Sequence, residues 1–158
     1  MELRIGLGHD THRLEPGGPL KLGGIDLEFD YHLVGHSDAD VLLHAITDAL
    51  LGAANLGDIG SLYPDSDPAN RGRDSAQMLL EAYIRVQRER WHLVNLDCVV
   101  LAERPKLLPY RQQIQRRIAE LLNIDPQQVG LKGKTGESVG EVGEGRVIQA
   151  QCVCLLSR

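Results

Sequence analysis

Three observations predict an α+β fold in a single domain, with a mostly antiparallel or mixed sheet covered on one face by helices. Strand-like and helix-like patterns come in the order βββααβαββ rather than in the strict alternation of a parallel α/β sheet. No repeat, low-complexity tract or linker rich in Pro and Ser divides the 158 residues. At 42% apolar and 25% charged residues, the chain has the composition of a folded globular protein.

Residues 3–8 alternate as a first strand. The turns Gly17-Gly18-Pro19 and Gly23-Gly24 bound short strands near 20–22 and 25–29, as a small meander or hairpin. A helix is expected from Asp38 to Leu56, because Ser37 and Asp40 have capping-box spacing ahead of a long apolar stretch that Gly57 stops. The segment from Gly57 to Gly72 is rich in Gly, Pro and Asp and reads as a loop. Met78, Leu79, Ala82, Tyr83 and Val86 then recur at helical spacing over 75–90 behind an Asp74 cap. Residues 92–103 form an apolar strand, and a loop at Arg104-Pro105-Lys106 leads to a helix from about Pro109. That helix has Ile114, Ile118, Leu121 and Leu122 on its apolar face and Arg111, Arg116 and Arg117 on the solvent side. Strands near 129–135 and 146–157 close the domain around a Gly-rich turn.

A net charge of −5 disfavours nucleic-acid binding through a broadly cationic surface. The N-terminus lacks the layout of a signal peptide, and no apolar run approaches the roughly 20 residues of a membrane helix, so a cytoplasmic protein without membrane contact is expected. Cys98, Cys152 and Cys154 cannot build a disulfide framework. In a strand, Cys152 and Cys154 share one face with Ile148, Ala150 and Leu156, which favours buried inert thiols.

Five of the six histidines fall between residues 9 and 44. Asp10 and His12 lie two apart at a strand end, so they point the same way. Asp40, His44 and Asp48 follow at i, i+4 and i+8, a polar stripe on an otherwise apolar helix, which suggests a polar cavity. Asp10, His12 and His44 make a donor set suited to Zn²⁺ or a similar divalent ion with one position open, with Asp48 as an acceptor for an imidazole N–H. The alternative is a strand-ending aspartate beside a hydrogen-bonded core histidine. His36 and Ser37 precede the helix, where a phosphate or a simple Ser cap fits equally. Asp58, Asp65 and Asp67 are either solvated turn carboxylates or groups that grip hydroxyls. Gly6-x-Gly8 lacks the third glycine of a dinucleotide site, and 132–137 lacks the Walker pattern, although its cations, hydroxyl and carboxylate suit phosphate and a hard cation.

Together these segments resemble the 2-C-methyl-D-erythritol 2,4-cyclodiphosphate synthases of the non-mevalonate isoprenoid pathway over nearly the whole length. The resemblance rests on Gly8-His9-Asp10-Thr11-His12, on 36–40 leading into 44–53, on Gly57-Asp58-Ile59-Gly60, on 63–68, on 105–109 and on Lys134-Thr135-Gly136-Glu137. It implies a homotrimer with sheets packed around a three-fold axis and active sites between subunits. Zinc would sit on Asp10, His12 and His44. Asp58 and Gly60 would hold the methylerythritol, His36 and Ser37 would contact phosphate, and Asp65 would share that pocket. Ala102, Lys106, Leu107, Leu108, Lys134 and Thr135 would form the nucleotide pocket of a neighbouring subunit, and Glu137 would bind Mg²⁺ or Mn²⁺.

The implied reaction cyclises 4-diphosphocytidyl-2-C-methyl-D-erythritol 2-phosphate with release of CMP. A zinc-dependent phosphoester hydrolase and a non-catalytic nucleotide-binding trimer are the competing readings. The chain departs from the common pattern at Ala39, where Gly is common, and at Lys134, where Thr is common. Glu141 and Glu144 stand where some members carry an aromatic residue and an arginine lining a central cavity for isoprenoid diphosphate, which argues against that second ligand here.

Overall fold

A computed structural model describes all 158 residues. In chain order the elements are β1 (Leu3–Pro16), β2 (Leu20–Leu22), β3 (Ile25–Leu27), β4 (Tyr31–Val34), α1 (Val41–Ala54), a single turn α2 (Ile59–Leu62) and α3 (Ser75–Arg88). Then come β5 (His92–Leu101), α4 (Arg111–Leu122), β6 (Val129–Lys134), a second single turn α5 (Gly140–Gly143) and β7 (Val147–Ser157). The main sheet has the order β4-β1-β7-β5-β6, and β2 and β3 pair apart from it. Only β5 and β6 run parallel; the other neighbours are antiparallel, so the sheet is mixed and the expected α+β class holds.

One sheet face carries the core. Ile148, Ala150, Cys152, Cys154 and Leu156 alternate inward along β7, as expected, and join Cys98 and Val100 of β5. All three cysteines are free. A hydrogen bond that the Cys152 thiol donates to Cys98, aided by burial, holds Cys152 well above its ordinary range, and burial pushes Cys154 up to about 11, so both stay protonated and inert.

α1 lies between this face and α3, which buries it on all sides except at Asp48 and Gly52. It can approach β1 so closely because Gly6 and Gly8 face it. A Cβ on Gly8 would stand 1.8 Å from the Ala45 carbonyl oxygen, and one on Gly6 would stand 1.9 Å from that of Ala49. The opposite face of the sheet has no cover: Leu3, Ile5, Leu7 and Val153 all project from it exposed.

Several boundaries differ from expectation. α1 starts at Val41 rather than Asp38, because Asp40 is the N-cap and accepts the Leu43 N–H, while Ala39 has φ 59° and cannot be helical. It ends at Asn55, which is left-handed at φ 58°, two residues before Gly57. β1 runs on to Pro16, and its last four residues pair with the unforeseen strand β4. α3 begins as expected behind Asp74, whose side chain accepts the Ala76 N–H at 2.8 Å, and stops at Arg88. No helix is long and apolar enough to cross a membrane.

Candidate active site

The middle of β1 and the first turn of α1 bring three donor atoms together. Asp10 Oδ2 lies 2.9 Å from His12 Nε2 and 3.1 Å from His44 Nδ1, and the two ring nitrogens are 3.2 Å apart. Ligands bound tetrahedrally to zinc at about 2.05 Å are separated by roughly 3.3 Å, so this triangle has nearly the dimensions of one face of such a shell. The donor chemistry agrees. His12 Nδ1 lies 2.8 Å from the Val34 carbonyl oxygen, to which it can only donate, so in the neutral ring Nε2 carries the lone pair that a metal would take, and in the protonated ring Nε2 donates to Asp10. Burial opposes ionisation of Asp10, but the His12 and His44 rings, which donate to it while those nitrogens are protonated and turn lone pairs to a metal once the protons leave, outweigh it and hold the carboxyl well below the usual range. Burial likewise pulls His12 down, and the Asp10 carboxylate more than reverses this. Asp10, His12 and His44 therefore fit a divalent transition metal.

The polar stripe expected on the helix is only partly a site. Asp40 turns away, fully buried, and accepts N–H groups from Gly23 at 2.9 Å, Gly24 at 2.7 Å and Leu43 at 3.1 Å. Burial pushes its carboxyl up against these three donors. Its role is to tie the β2–β3 turn to α1. Asp48 is no acceptor for an imidazole; it takes the Ile59 N–H at 2.7 Å and so anchors the α2 turn. The groups at His44 Nε2 are instead Ser75 Oγ at 2.8 Å and Ser37 Oγ at 3.1 Å.

A cleft of about 290 Å³ opens above the triad. Its walls include His36, Ser37, Gly60 and Asp65 together with the triad itself, as expected, and also Gly35 and Tyr63, which sequence reasoning missed. Gly35 has a visible reason to lack a side chain, since a Cβ there would come within 2.7 Å of the His12 ring. Asp58 is not in the wall. It caps α2, accepting the Ser61 N–H and hydroxyl at 2.7 Å each, which lowers its carboxyl. Asp67 caps a 3₁₀ turn at 68–70 in the same way.

A second cavity of about 420 Å³ lies where β5 and β6 run side by side beneath the start of α4. Ala102, Lys106, Leu107, Leu108, Lys134 and Thr135 all line it. So does Arg111, expected on the solvent side of its helix, and Lys132, which pairs with Asp97. Even with Lys132 paired to Asp97, Lys106, Arg111 and Lys134 against Glu103 give this cavity a positive field. Glu137 lines neither cavity; its Oε1 accepts the Thr135 hydroxyl at 3.0 Å. Arg146, not foreseen, sits between Glu141 and Glu144 at 4.0 and 2.8 Å.

Comparison with known proteins agrees with this geometry. The model of the YgbB family matches residues 3–157. A 2-C-methyl-D-erythritol 2,4-cyclodiphosphate synthase from Rhodopirellula baltica is 51% identical over all of this chain and 95% of its own. A synthase structure described as the CDP-bound form superposes with a TM-score of 0.90 at 40% identity, covering 98% of this chain and 100% of that one. The bifunctional IspDF from Campylobacter jejuni gives a TM-score of 0.94 at 38% identity over 98% of this chain, which spans 42% of that longer protein. From the strand and helix that carry the triad to the cationic cavity beyond them, this chain belongs to the YgbB family, the 2-C-methyl-D-erythritol 2,4-cyclodiphosphate synthases.

Proposed function

We propose that the chain converts 4-diphosphocytidyl-2-C-methyl-D-erythritol 2-phosphate into the 2,4-cyclodiphosphate and CMP, with its Asp-His-His triad and its cationic cavity serving opposite ends of one substrate. The observation that carries this is the pairing of a three-donor metal cradle with a separate cavity lined by Lys106, Arg111, Lys132 and Lys134. The nucleophile is a phosphate oxygen already anionic at neutral pH, so the residues need supply no general base. Their task is to bring anions together and bend the chain into a ring.

Asp10, His12 and His44 would hold zinc or another divalent transition metal, which when bound supplies Lewis-acid polarisation of the attacked phosphate. Ser37 Oγ accepts the Ala39 N–H at 3.1 Å and lies 3.1 Å from His44 Nε2; with Nε2 protonated it accepts there too, which leaves its own proton for a phosphate oxygen in the cleft, and His36 borders the same space. Gly60 and Asp65 face the methylerythritol, with Asp58 and Asp48 fixing the turn that carries Gly60. At the other end, Ala102, Leu107 and Leu108 give the cytosine an apolar wall, while Lys106, Lys134 and Thr135 bind the leaving nucleotide. A single carboxylate completed by phosphate oxygens suits Mg²⁺ or Mn²⁺, the role proposed for Glu137.

The active unit in this reading is a homotrimer. Its support is the uncovered sheet face, where Ile5 is 77% and Leu7 70% exposed beside Leu3 and Val153, a row of neighbouring apolar side chains of the kind that marks an interface. The two cavities share no residue, so a subunit boundary can set one chain's triad against the next chain's nucleotide pocket.

The test is incubation with the cytidyl substrate, zinc and Mg²⁺ in ¹⁸O-water. Equal amounts of CMP and cyclic diphosphate without ¹⁸O are expected. A linear, ¹⁸O-labelled product would establish a hydrolase instead, and CMP binding without turnover would leave only a nucleotide-binding trimer.

A further inference from the structure

The fully buried Ser75, at the first position of α3, lines neither of the two cavities described above and belongs to no expected site, yet its hydroxyl is the nearest hydrogen-bonding group to His44 Nε2, at 2.8 Å. We infer that Asp38 and Ser75 act as a positioning pair that fixes the tautomer of His44, presenting its Nδ1 lone pair to the metal cradle. This rests on the metal-site reading above.

The proton count carries the assignment. A serine hydroxyl has one proton to give. Ser75 gives it to Asp38 Oδ1 in a short contact, while the Ser75 backbone N–H donates to Asp38 Oδ2 at 3.2 Å. The carboxylate therefore clamps Ser75 from two sides and turns the oxygen lone pairs toward the imidazole. Only a protonated Nε2 can donate to that oxygen. In a neutral imidazole, a proton on Nε2 leaves Nδ1 bare, and Nδ1 is the atom 3.1 Å from Asp10 and 3.2 Å from His12. Val34 does the same for the other ring by accepting from His12 Nδ1, so each histidine has its far nitrogen held by an oxygen.

The arrangement also separates the two serines near His44. Ser75 is sealed from the cleft and its proton is committed inward, which suits orientation of a ligand. Ser37 borders the cleft and its proton is uncommitted, which suits a substrate phosphate. Because Asp38 precedes α1 and Ser75 opens α3, the clamp also ties the entry of the metal-bearing helix to its neighbour; the Asp38 N–H to Arg73 carbonyl bond at 3.1 Å strengthens that tie.

The measurement is zinc affinity by chelator competition on wild type, Ser75→Ala and Ser75→Thr, with CMP affinity and thermal unfolding of the metal-free forms as controls. Ser75→Ala is expected to weaken zinc about tenfold to hundredfold. CMP binding should stay unchanged, and turnover lost at limiting zinc should return with excess zinc. Ser75→Thr, which keeps the hydroxyl, should bind zinc like wild type. In zinc-loaded wild type labelled with ¹⁵N-histidine, long-range ¹H–¹⁵N spectra should show His44 protonated at Nε2, a result that does not depend on any variant folding. Equal zinc affinity in wild type and Ser75→Ala, or a proton on Nδ1, would overturn the inference while leaving the metal site intact. A wild type that binds no zinc would overturn the site and the inference together.

Discussion

A methyl group added at Gly8 should damage fold and metal site at once, and the structure says by how much. The new Cβ would stand 1.8 Å from the Ala45 carbonyl oxygen and 2.8 Å from both Ala45 C and Ala49 N, whereas real Cβ contacts essentially never fall under 3.0 Å. The obstructing atoms are backbone, so no side chain can rotate away. β1 and α1 must therefore separate by at least about 1.2 Å, in a core where a gap of that size forfeits a large part of the dispersion contact along the interface. Overpacking of this kind costs about 3 kcal/mol, a large fraction of the 5–15 kcal/mol typical of a domain. Gly8 lies two residues from Asp10 on the same side of its strand, and Ala45 adjoins His44, so the separation also opens the donor triangle. Metal bonds tolerate only about 0.2 Å. Urea denaturation of metal-free Gly8→Ala should show the loss of stability, and chelator competition should show zinc weakened at least about tenfold. Stability within about 1 kcal/mol of wild type together with unchanged zinc affinity would refute the claim that glycine is needed for this close approach.

Lys106→Ala removes one of four cations from the second cavity and should weaken CMP about tenfold in calorimetry without altering zinc affinity. If CMP binding is unaffected, Lys106 has no part in the nucleotide pocket. Leu7→Asp places a carboxylate on the bare sheet face and should convert a trimer into monomers at micromolar concentration in sedimentation velocity, because burying an unpaired charge costs several kcal/mol. A trimer that persists would move the interface elsewhere. Burial, aided by Glu81, pushes the Tyr63 phenol up to about 12 from 10.0, so the folded state holds this proton more tightly than the unfolded chain does. Its stabilisation is complete below pH 10 and is lost as pH rises toward 12. The stability difference between wild type and Tyr63→Phe should shrink over that interval, and a difference independent of pH would contradict it.

What the sequence disclosed depended on whether the signal was local. The helix faces were legible because apolar periodicity reports burial directly, and Asp74 was legible as a cap because it directly precedes such a run. β4 was not, since of its four residues only Leu33 is buried, too few to show a period. The second half of β1 was hidden for the opposite reason: residues 9–13 carry the polar groups of the site, so their alternation is not one of hydrophobicity. Asp10, His12 and His44 could be found from spacing on one strand and one helix. Asp40 misled because i, i+4 spacing gives an angle around the axis and not a place along it; as the N-cap just ahead of the helix, its carboxylate turns back onto the Gly23 and Gly24 amides. Ser75 carried no signal at all, being a lone serine 31 residues from the histidine it touches. The nucleotide cavity was legible only through family resemblance, because it exists only once α4 has carried the chain over to lay β6 beside β5, with Lys134 opposite Leu101.

The distribution of charge explains how a chain of net charge −5 can handle a substrate that is itself highly anionic. The triad cleft is lined by Asp10 and Asp65 and has no lysine or arginine, so on its own it repels phosphate. It becomes receptive only when a divalent ion cancels the Asp10 charge. The other cavity needs no such help, since Lys106, Arg111 and Lys134 outnumber Glu103 even with Lys132 paired to Asp97. On the function proposed above, nucleotide recognition and phosphate activation are thus separable on this chain. The first is built from fixed side-chain charge, which does not depend on metal supply. The second is conditional on a metal that only correctly oriented imidazoles can hold, so the entry of α1 and the start of α3 carry a buried hydrogen-bond network that no substrate touches.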